Sequence, residues 1–310
     1  MDIIGPMKDA AARKREIDAA VAWTKQHVAR VFGKSVVEIR ALADKNKTVV
    51  PVPDGTVMEK VIVGGVPCLW VTAPGVDPDR VVFYVHGGGF TMGSPETHRR
   101  LAADIGAAAN ARVLLVQYRL APEYPFPIGP TDCFEAYKGL LARDFEPKNI
   151  AFGGDSAGGA LVLATLLQAR DAGLPLPACT VCLSPWVNLA LDGETLQTKK
   201  DVDPLGDSSS FQKFVDAYLA GTDPRAPLAS PIYADLKGLP PLLIQVGTSE
   251  FLLDDSYRLE KAAKAAGVAV TFEEWPDMIH NWQLYSHTIT DGRNANARIG
   301  QFIQGHLGRG

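Results

Sequence analysis

Residues 149–171 read NIAFGGDSAGGALVLATLLQARD and contain the strongest local indication of the fold. Its start is typical of a buried β-strand, and residues 156–171 are typical of a helix. The turn between them, Gly154-Asp155-Ser156-Ala157-Gly158, matches G-x-S-x-G. Between a strand and a helix this pattern indicates a nucleophile elbow, which exposes a serine hydroxyl at the apex of a tight turn. Ser156 is therefore the candidate nucleophile, and a glycine-rich turn without chemistry is the alternative.

Strand-like and helix-like segments alternate on both sides of this stretch. Apolar strands separated by helices of about ten to fifteen residues are typical of a parallel sheet covered on both faces, so we predict an α/β fold. Upstream, VMEKVIVGGVPCLWVTAP (57–74) predicts a hairpin that turns at Gly64-Gly65. The other predicted strands are 81–85, 112–118, 178–185, 241–247 and 268–275, and the other predicted helices are 98–109, 130–143, about 255–266 and 293–307.

Two parts of the chain fall outside this alternation. Residues 8–44 carry apolar side chains at helical spacing, which predicts amphipathic helices in a separate layer. Residues 185–238 are polar and rich in turn formers, and only 211–219 has a helical pattern. We therefore predict an N-terminal helical cap segment at 1–50 and a catalytic domain at 51–310, with 185–238 contributing to the cap.

A second glycine-rich motif, His86-Gly87-Gly88-Gly89-Phe90, follows the predicted strand 81–85. Glycine-rich backbone at this end of a strand directs N–H groups at a developing oxyanion, alongside the N–H of the residue after the nucleophile. Taken alone, the motif also fits a plain glycine-rich loop. Its position upstream of the predicted elbow favours the oxyanion role.

Acyl transfer by a serine also requires a base, which follows the nucleophile and the acid in this kind of fold. His280 lies in PDMIHNW (276–282), just after the predicted strand 268–275. That position is the end of the sheet at which open α/β folds bind ligands. His280 is therefore the predicted base, and His287 is its nearest competitor.

The acid that orients the histidine is predicted from the loop after strand 241–247. Glu250 falls just past that strand, whereas Asp254 and Asp255 begin the next helix, where acids interact favourably with the helix dipole. We predict that Glu250 is the acid, because this group must reach Nδ1 of the histidine. Asp254 remains the alternative.

Composition excludes several other classes of protein. The 310 residues include 31 Lys and Arg against 35 Asp and Glu, so the formal net charge is −4, which argues against a nucleic-acid partner. The sequence contains no apolar run of about 18 residues, so no membrane span is predicted. The charged first residues lack the apolar core of a signal peptide. We therefore expect a cytoplasmic protein. No metal or nucleotide motif is present, so no cofactor is expected.

The four cysteines are predicted to be reduced. Cys179 and Cys182 form a C-x-x-C, but they fall in the predicted strand 178–185, where residues three apart point to opposite faces of the sheet. A redox pair is instead found at a helix N-terminus. Buried structural thiols are the favoured interpretation, and redox chemistry is the alternative.

Three motifs together resemble those of the hormone-sensitive-lipase-like esterases of the α/β-hydrolase fold. They are HGGGF (86–90), YRLAPEYPFP (118–127) and GDSAGG (154–159), in the order and spacing of that family, and the resemblance spans about 60–307. It implies a serine carboxylesterase for short- to medium-chain esters, with an oxyanion hole formed by Gly88, Gly89 and Ala157. It also implies a homodimer. The family's acid usually begins Asp-Pro-Leu, whereas this chain has Glu250-Phe251-Leu252.

A subgroup of monoterpene ε-lactone hydrolases shares features of GTSE (247–250), WPDMIH (275–280) and the final helix, so a lactone is an alternative substrate. Amide or carbamate cleavage and a non-catalytic ligand-binding role are further alternatives, since fold alone does not determine function. Bulky apolar residues beside the motif loops are predicted to line a substrate pocket, or else to pack the cap on the sheet. They are Phe90, Trp186, Ile279 and Trp282.

Overall fold

The computed structural model describes residues 10–31, 33–46, 50–206 and 209–308. Residues 1–9, 32 and 47–49 of the predicted cap segment lie outside these ranges. Within the described chain the strands form an eight-stranded sheet in the order β1-β2-β4-β3-β5-β6-β7-β8. The strands are β1 (Val57–Val63), β2 (Val66–Thr72), β3 (Val81–Val85), β4 (Arg112–Val116), β5 (Ile150–Asp155), β6 (Cys179–Leu183), β7 (Leu242–Gly247) and β8 (Val270–Trp275).

The pairing of the strands confirms both predictions about the sheet. Strands β1 and β2 form an antiparallel hairpin in which Val63 pairs with Val66 across the Gly64-Gly65 turn. Strand β2 also runs antiparallel to β4, whereas every pairing from β4 to β8 is parallel. The fold is therefore α/β, with a mostly parallel sheet.

Helices cover both faces of the sheet. One hydrophobic cluster joins Val81, Phe83 and Val85 to three helices of the catalytic domain and to residues of the cap, and a second joins Val82 and Tyr84 to two other helices. Each fully buried side chain of this kind contributes about 1.5–3 kcal/mol to folding. The first group is α4 (Ile128–Leu141), α5 (Ala157–Asp171) and α8 (Leu253–Ala265), and the second is α3 (Pro95–Ala109) and α9 (Thr290–His306).

The strand order changes direction between β3 and β5, which places the motif loops side by side. Strand β3 pairs with β4 on one side and with β5 on the other, and all three run parallel. Loops that leave the carboxyl ends of two strands at such a switch point enclose a crevice, where α/β folds bind ligands. The HGGGF loop follows β3 and Ser156 follows β5, so both motifs lie at this crevice.

The cap elements contact the loops at this edge of the sheet. They are α1 (Ala10–Val31), α2 (Val36–Asn46), α6 (Thr195–Thr198) and α7 (Ser209–Leu219). Ala20 of α1 packs against Met278 and Ile279 in the loop after β8. Arg40 of α2 donates to the carbonyl oxygen of Thr91 at 2.6 Å, in the loop after β3. The division at residues 50 and 51 stays a prediction.

Cys179 and Cys182 lie on opposite faces of β6, as their spacing predicts. Cys179 belongs to one hydrophobic cluster and Cys182 to the other, and both are buried free thiols. Burial raises the pKa of both thiols, to about 12 for Cys179, so the reactive thiolate is disfavoured. Among the described residues no helix combines the length and the apolarity needed to cross a bilayer.

Candidate active site

Ser156 occupies a strained turn between β5 and α5. Its φ of 51° and ψ of −122° lie outside the regions that L-residues normally adopt. Glycines make this turn possible: a Cβ on Gly158 would lie 2.0 Å from the carbonyl oxygen of Val85. The Ser156 N–H donates to the carbonyl oxygen of Leu183 at 2.8 Å, and its carbonyl accepts from Trp186 N at 2.9 Å. The backbone around the serine is therefore held on both sides.

Glu250 and His280 form a hydrogen-bonded pair in which Glu250 is buried and His280 is half-buried. His280 Nδ1 lies 2.7 Å from Glu250 Oε2. The other carboxylate oxygen, Oε1, accepts from Ser184 Oγ at 2.8 Å and from Gly247 N at 2.7 Å. Because an ionised carboxylate only accepts hydrogen bonds, His280 carries its proton on Nδ1, and its Nε2 is left as the acceptor.

The environment of His280 favours its protonated form. Burial lowers the pKa of the imidazole, but the hydrogen bond to Glu250 and the neighbouring negative charges together outweigh this effect and raise the pKa above 6.5. The carboxylates of Asp203 and Asp155 add to the same effect. An imidazolium that forms at this site is therefore stabilised by several neighbouring charges.

Asp155 ties the serine turn to the two other loops. Its Oδ2 accepts from Asn281 Nδ2 at 2.8 Å, which joins the residue before Ser156 to the residue after His280. Its Oδ1 accepts from Gly87 N at 3.1 Å and from the Tyr84 hydroxyl at 2.9 Å. The structure thereby brings the GDSAG turn, the HGGGF loop and the histidine loop together.

Asp155 is fully buried and ionised. Burial by itself raises the pKa of a carboxyl group, but His98 and the Tyr84 hydroxyl lower it further than burial raises it. His98 Nε2 lies 3.3 Å from Oδ2. Buried hydrogen bonds of this kind hold Asp155 and its partners in one geometry.

The glycine loop adopts a conformation that only glycine tolerates. Gly88 has a φ of 120°, and a Cβ there would lie 2.2 Å from the carbonyl oxygen of Met92. Gly89 follows with a φ of 56°. Ala157, the third residue predicted to form the oxyanion hole, is fully buried at the first position of α5. The N-terminus of that helix favours negative charge.

The alternative base and acids lie elsewhere in the structure. His287 is exposed, near the charges of Arg100 and Asp104. Asp254 Oδ2 accepts from Glu194 N at 3.3 Å and forms an ion pair with Arg258 at 3.9 Å. Of the residues weighed from the sequence, His280 and Glu250 are therefore the pair that the fold brings into contact.

The four apolar residues predicted to line a pocket are all buried. Phe90 stacks on Tyr218 with ring centroids 3.9 Å apart, and it also contacts Trp186. Ile279 and Trp282 pack in the cluster that includes Ala20 of α1. Their contribution to a substrate pocket stays a prediction.

Sequence reasoning missed three residues that shape the site, namely Asp155, Ser184 and Asn281. Asp155 lies inside the G-x-S-x-G motif, so its position was a usable signal. Ser184 follows β6 with a φ of 42° and donates to Glu250, and no local pattern marks it. Asn281 follows His280 and adopts a left-handed conformation, which asparagine tolerates better than most residues.

Comparison with known proteins gives the same class of fold. A family model described as alpha/beta hydrolase fold matches residues 82–284. An acetyl-hydrolase of Streptomyces hygroscopicus is 47% identical over 259 residues, which cover 84% of this chain and 85% of that protein.

Solved structures match this chain over a larger share of its length. An esterase from the bacterial hormone-sensitive lipase family superimposes with a TM-score of 0.92 at 44% identity, covering 95% of this chain and 99% of the other. EstE5, soaked with p-nitrophenyl butyrate, gives a TM-score of 0.90 at 40% identity with the same coverage. The fold and the site thus define a hydrolase of the α/β-hydrolase class. The chain belongs to that family, in its hormone-sensitive-lipase-like branch.

Proposed function

We propose that the chain is a serine carboxylesterase that hydrolyses short- to medium-chain carboxylic esters through an acyl-enzyme on Ser156. The observation that carries the proposal is the Glu250–His280 hydrogen bond, which is joined to the serine turn through the Asn281–Asp155 hydrogen bond. The names of the related acetyl-hydrolase and esterases support ester substrates. A nucleophile, a base and an orienting acid are the three groups that this reaction requires.

In the proposed reaction Ser156 Oγ attacks the ester carbonyl carbon while His280 Nε2 takes the hydroxyl proton. Glu250 holds the imidazole through Nδ1 and stabilises the imidazolium. The C–O bond to the alcohol then breaks, and His280 returns the proton to the leaving oxygen. Water attacks the acyl-enzyme by the same route, and the carboxylic acid and free Ser156 are released.

The negative charge that develops on the carbonyl oxygen requires donors already in place. We assign these to the N–H groups of Gly88, Gly89 and Ala157. The positive φ of Gly88, which leaves no room for a side chain, and the position of Ala157 at the N-terminus of α5 directly after Ser156 support this assignment. One such donor is typically worth about 3–4 kcal/mol of transition-state stabilisation.

Hydrolysis of p-nitrophenyl esters from acetate to decanoate tests the substrate class. We expect kcat/KM for acetate to hexanoate to exceed that for decanoate by about tenfold, because we propose that Phe90 and Trp186, which are buried and in contact with each other, limit the room for a long chain near Ser156. A matched p-nitroanilide is expected to react at least about 100-fold more slowly, since an amine is the poorer leaving group. Preference for decanoate or for the anilide would contradict the proposal, and faster opening of ε-caprolactone would favour a lactonase.

The pH dependence of kcat/KM tests the assignment of His280. Only the neutral imidazole accepts the serine proton, so activity is lost as pH falls through the pKa of His280. Because Glu250 raises that pKa, we expect the midpoint of the acid limb to lie above 6.5, the ordinary value for histidine. The rate is best followed at the isosbestic wavelength of p-nitrophenol. A midpoint clearly below the ordinary value would contradict the described environment of His280.

A further inference from the structure

A buried carboxylate of the cap contacts the backbone next to Glu250. Asp203 lies between α6 and α7 and is 3% exposed. Its Oδ2 accepts from Phe251 N at 2.7 Å, and Oδ1 accepts from Leu205 N at 2.8 Å. Phe251 directly follows Glu250, so this side chain reaches from the cap to the loop that carries the proposed acid.

The cap also holds the other polar group of the same residue. Thr195 Oγ1 donates to the carbonyl oxygen of Phe251 at 2.6 Å and accepts from Asp254 N at 3.0 Å. The ring of Phe251 packs edge-on against Phe211 of α7, with centroids 5.8 Å apart. Both backbone polar groups and the side chain of Phe251 are therefore in contact with the cap.

We propose that Asp203 is a positioning residue through which the cap holds the Glu250 loop and adds a further negative charge to the surroundings of His280. This inference rests on the proposed function. The carboxylate of Glu250 is fixed from the sheet by Ser184 and Gly247, and its backbone is fixed from the cap by Asp203. A shift of about 1 Å in either support would lengthen the Glu250–His280 hydrogen bond and lower the rate.

Three carboxylates from different elements act electrostatically on His280. Glu250 follows β7, Asp155 ends β5, and Asp203 belongs to the cap, and all three raise the pKa of the imidazole against the effect of burial. Burial raises the pKa of Asp203 to about 6, with the positive charge of His280 acting in the opposite direction. At neutral pH Asp203 is therefore mostly ionised and stabilises the imidazolium that forms during turnover.

The substitution Asp203→Asn tests both parts of the proposal. The amide has one acceptor oxygen, so one of the N–H groups of Phe251 and Leu205 loses its partner, and the charge is removed. We expect kcat for p-nitrophenyl butyrate to fall about tenfold with KM changed less than about twofold, because the interaction acts through the base. The acid limb of kcat/KM is expected to move to lower pH by about half a unit, because His280 loses a neighbouring negative charge.

Asp201→Asn is the matched control. Asp201 is exposed in the same cap segment, and its substitution changes the net charge by the same amount. Salt screens exposed charges, so this variant is expected to keep the wild-type kcat and acid limb. An unmoved acid limb in Asp203→Asn, or an equal shift in Asp201→Asn, would overturn the electrostatic part.

Thr195→Val separates the hydrogen bonds from the charge. It removes the hydroxyl that donates to the carbonyl oxygen of the same residue, Phe251, and leaves the charge unchanged, so we expect a lower kcat with an unmoved acid limb. Wild-type kcat in this variant would overturn the positioning role, even if Asp203→Asn fails to fold. Ser156→Ala, assayed alongside, reports on the proposed function alone: its full activity would overturn that function, whereas its inactivity with unchanged Asp203→Asn kinetics would overturn only this inference.

Discussion

Replacing Ser156 by alanine is expected to lower kcat for p-nitrophenyl butyrate by about 10⁴-fold or more. The substitution removes the atom that forms the acyl-enzyme, and only the oxyanion donors and substrate binding remain to accelerate attack by water. Alanine keeps the Cβ of serine, so the φ of 51° costs about the same in both proteins. The melting temperature is therefore expected to stay within a few degrees of the wild-type value.

Steady-state kinetics and thermal unfolding, measured on the same preparation, check this expectation. A large loss of rate with a preserved melting temperature assigns the effect to chemistry. Turnover within tenfold of wild type by the folded variant would remove Ser156 from the mechanism.

The substitution with the second largest expected effect is Glu250→Gln, for which we expect a loss in kcat of about 10³-fold. Three donors converge on the carboxylate, from Ser184 Oγ, Gly247 N and His280 Nδ1. A glutamine has one carbonyl oxygen for these donors, and its NH₂ group faces either the imidazole or a buried N–H. The imidazole then loses its orientation and the stabilisation of its charged form, as when the acid of a serine triad is made an amide.

Asp254→Asn is the matched control for this variant. Asp254 lies four residues further along the chain, in the first turn of α8, where it pairs with Arg258. Its effect on kcat is expected to stay within about twofold, since an exposed ion pair is worth about 0–1 kcal/mol. If Asp254→Asn loses most of its kcat and Glu250→Gln retains activity, the assignment of the acid is wrong.

Local patterns predicted the elements at the centre of the sheet well. The strand, turn and helix around Ser156 occur at Ile150–Asp155 and Ala157–Asp171, within a residue of the predicted bounds. The helix predicted at 98–109 begins earlier, at Pro95, because Ser94 and Thr97 form a capping box and proline suits the first helical turn. Helix ends depend on such caps, which hydrophobic periodicity does not record.

Contacts between distant segments could not be predicted from local patterns. Ser184 reaches Glu250 because β6 lies between β5 and β7, and alternation of strands and helices does not specify that order. Asp203 contacts Phe251 across the cap, from a polar segment without periodicity. The four-residue helix Thr195–Thr198 is likewise too short to produce a periodic signal. Hydrogen bonds between separate loops determine much of this site's geometry, and the residues that form them are brought together only by the fold.

The role of Ser156 as nucleophile is tested most directly by labelling the protein with an organophosphate such as diethyl p-nitrophenyl phosphate and locating the adduct by peptide mass spectrometry. Attack of an activated serine on phosphorus releases p-nitrophenol and leaves a stable phosphoryl–serine bond. We expect one adduct per chain, on Ser156, with esterase activity lost in proportion to labelling and no adduct in Ser156→Ala. An adduct on another residue that accompanies inactivation, or full activity in completely labelled protein, would show that Ser156 is not the nucleophile.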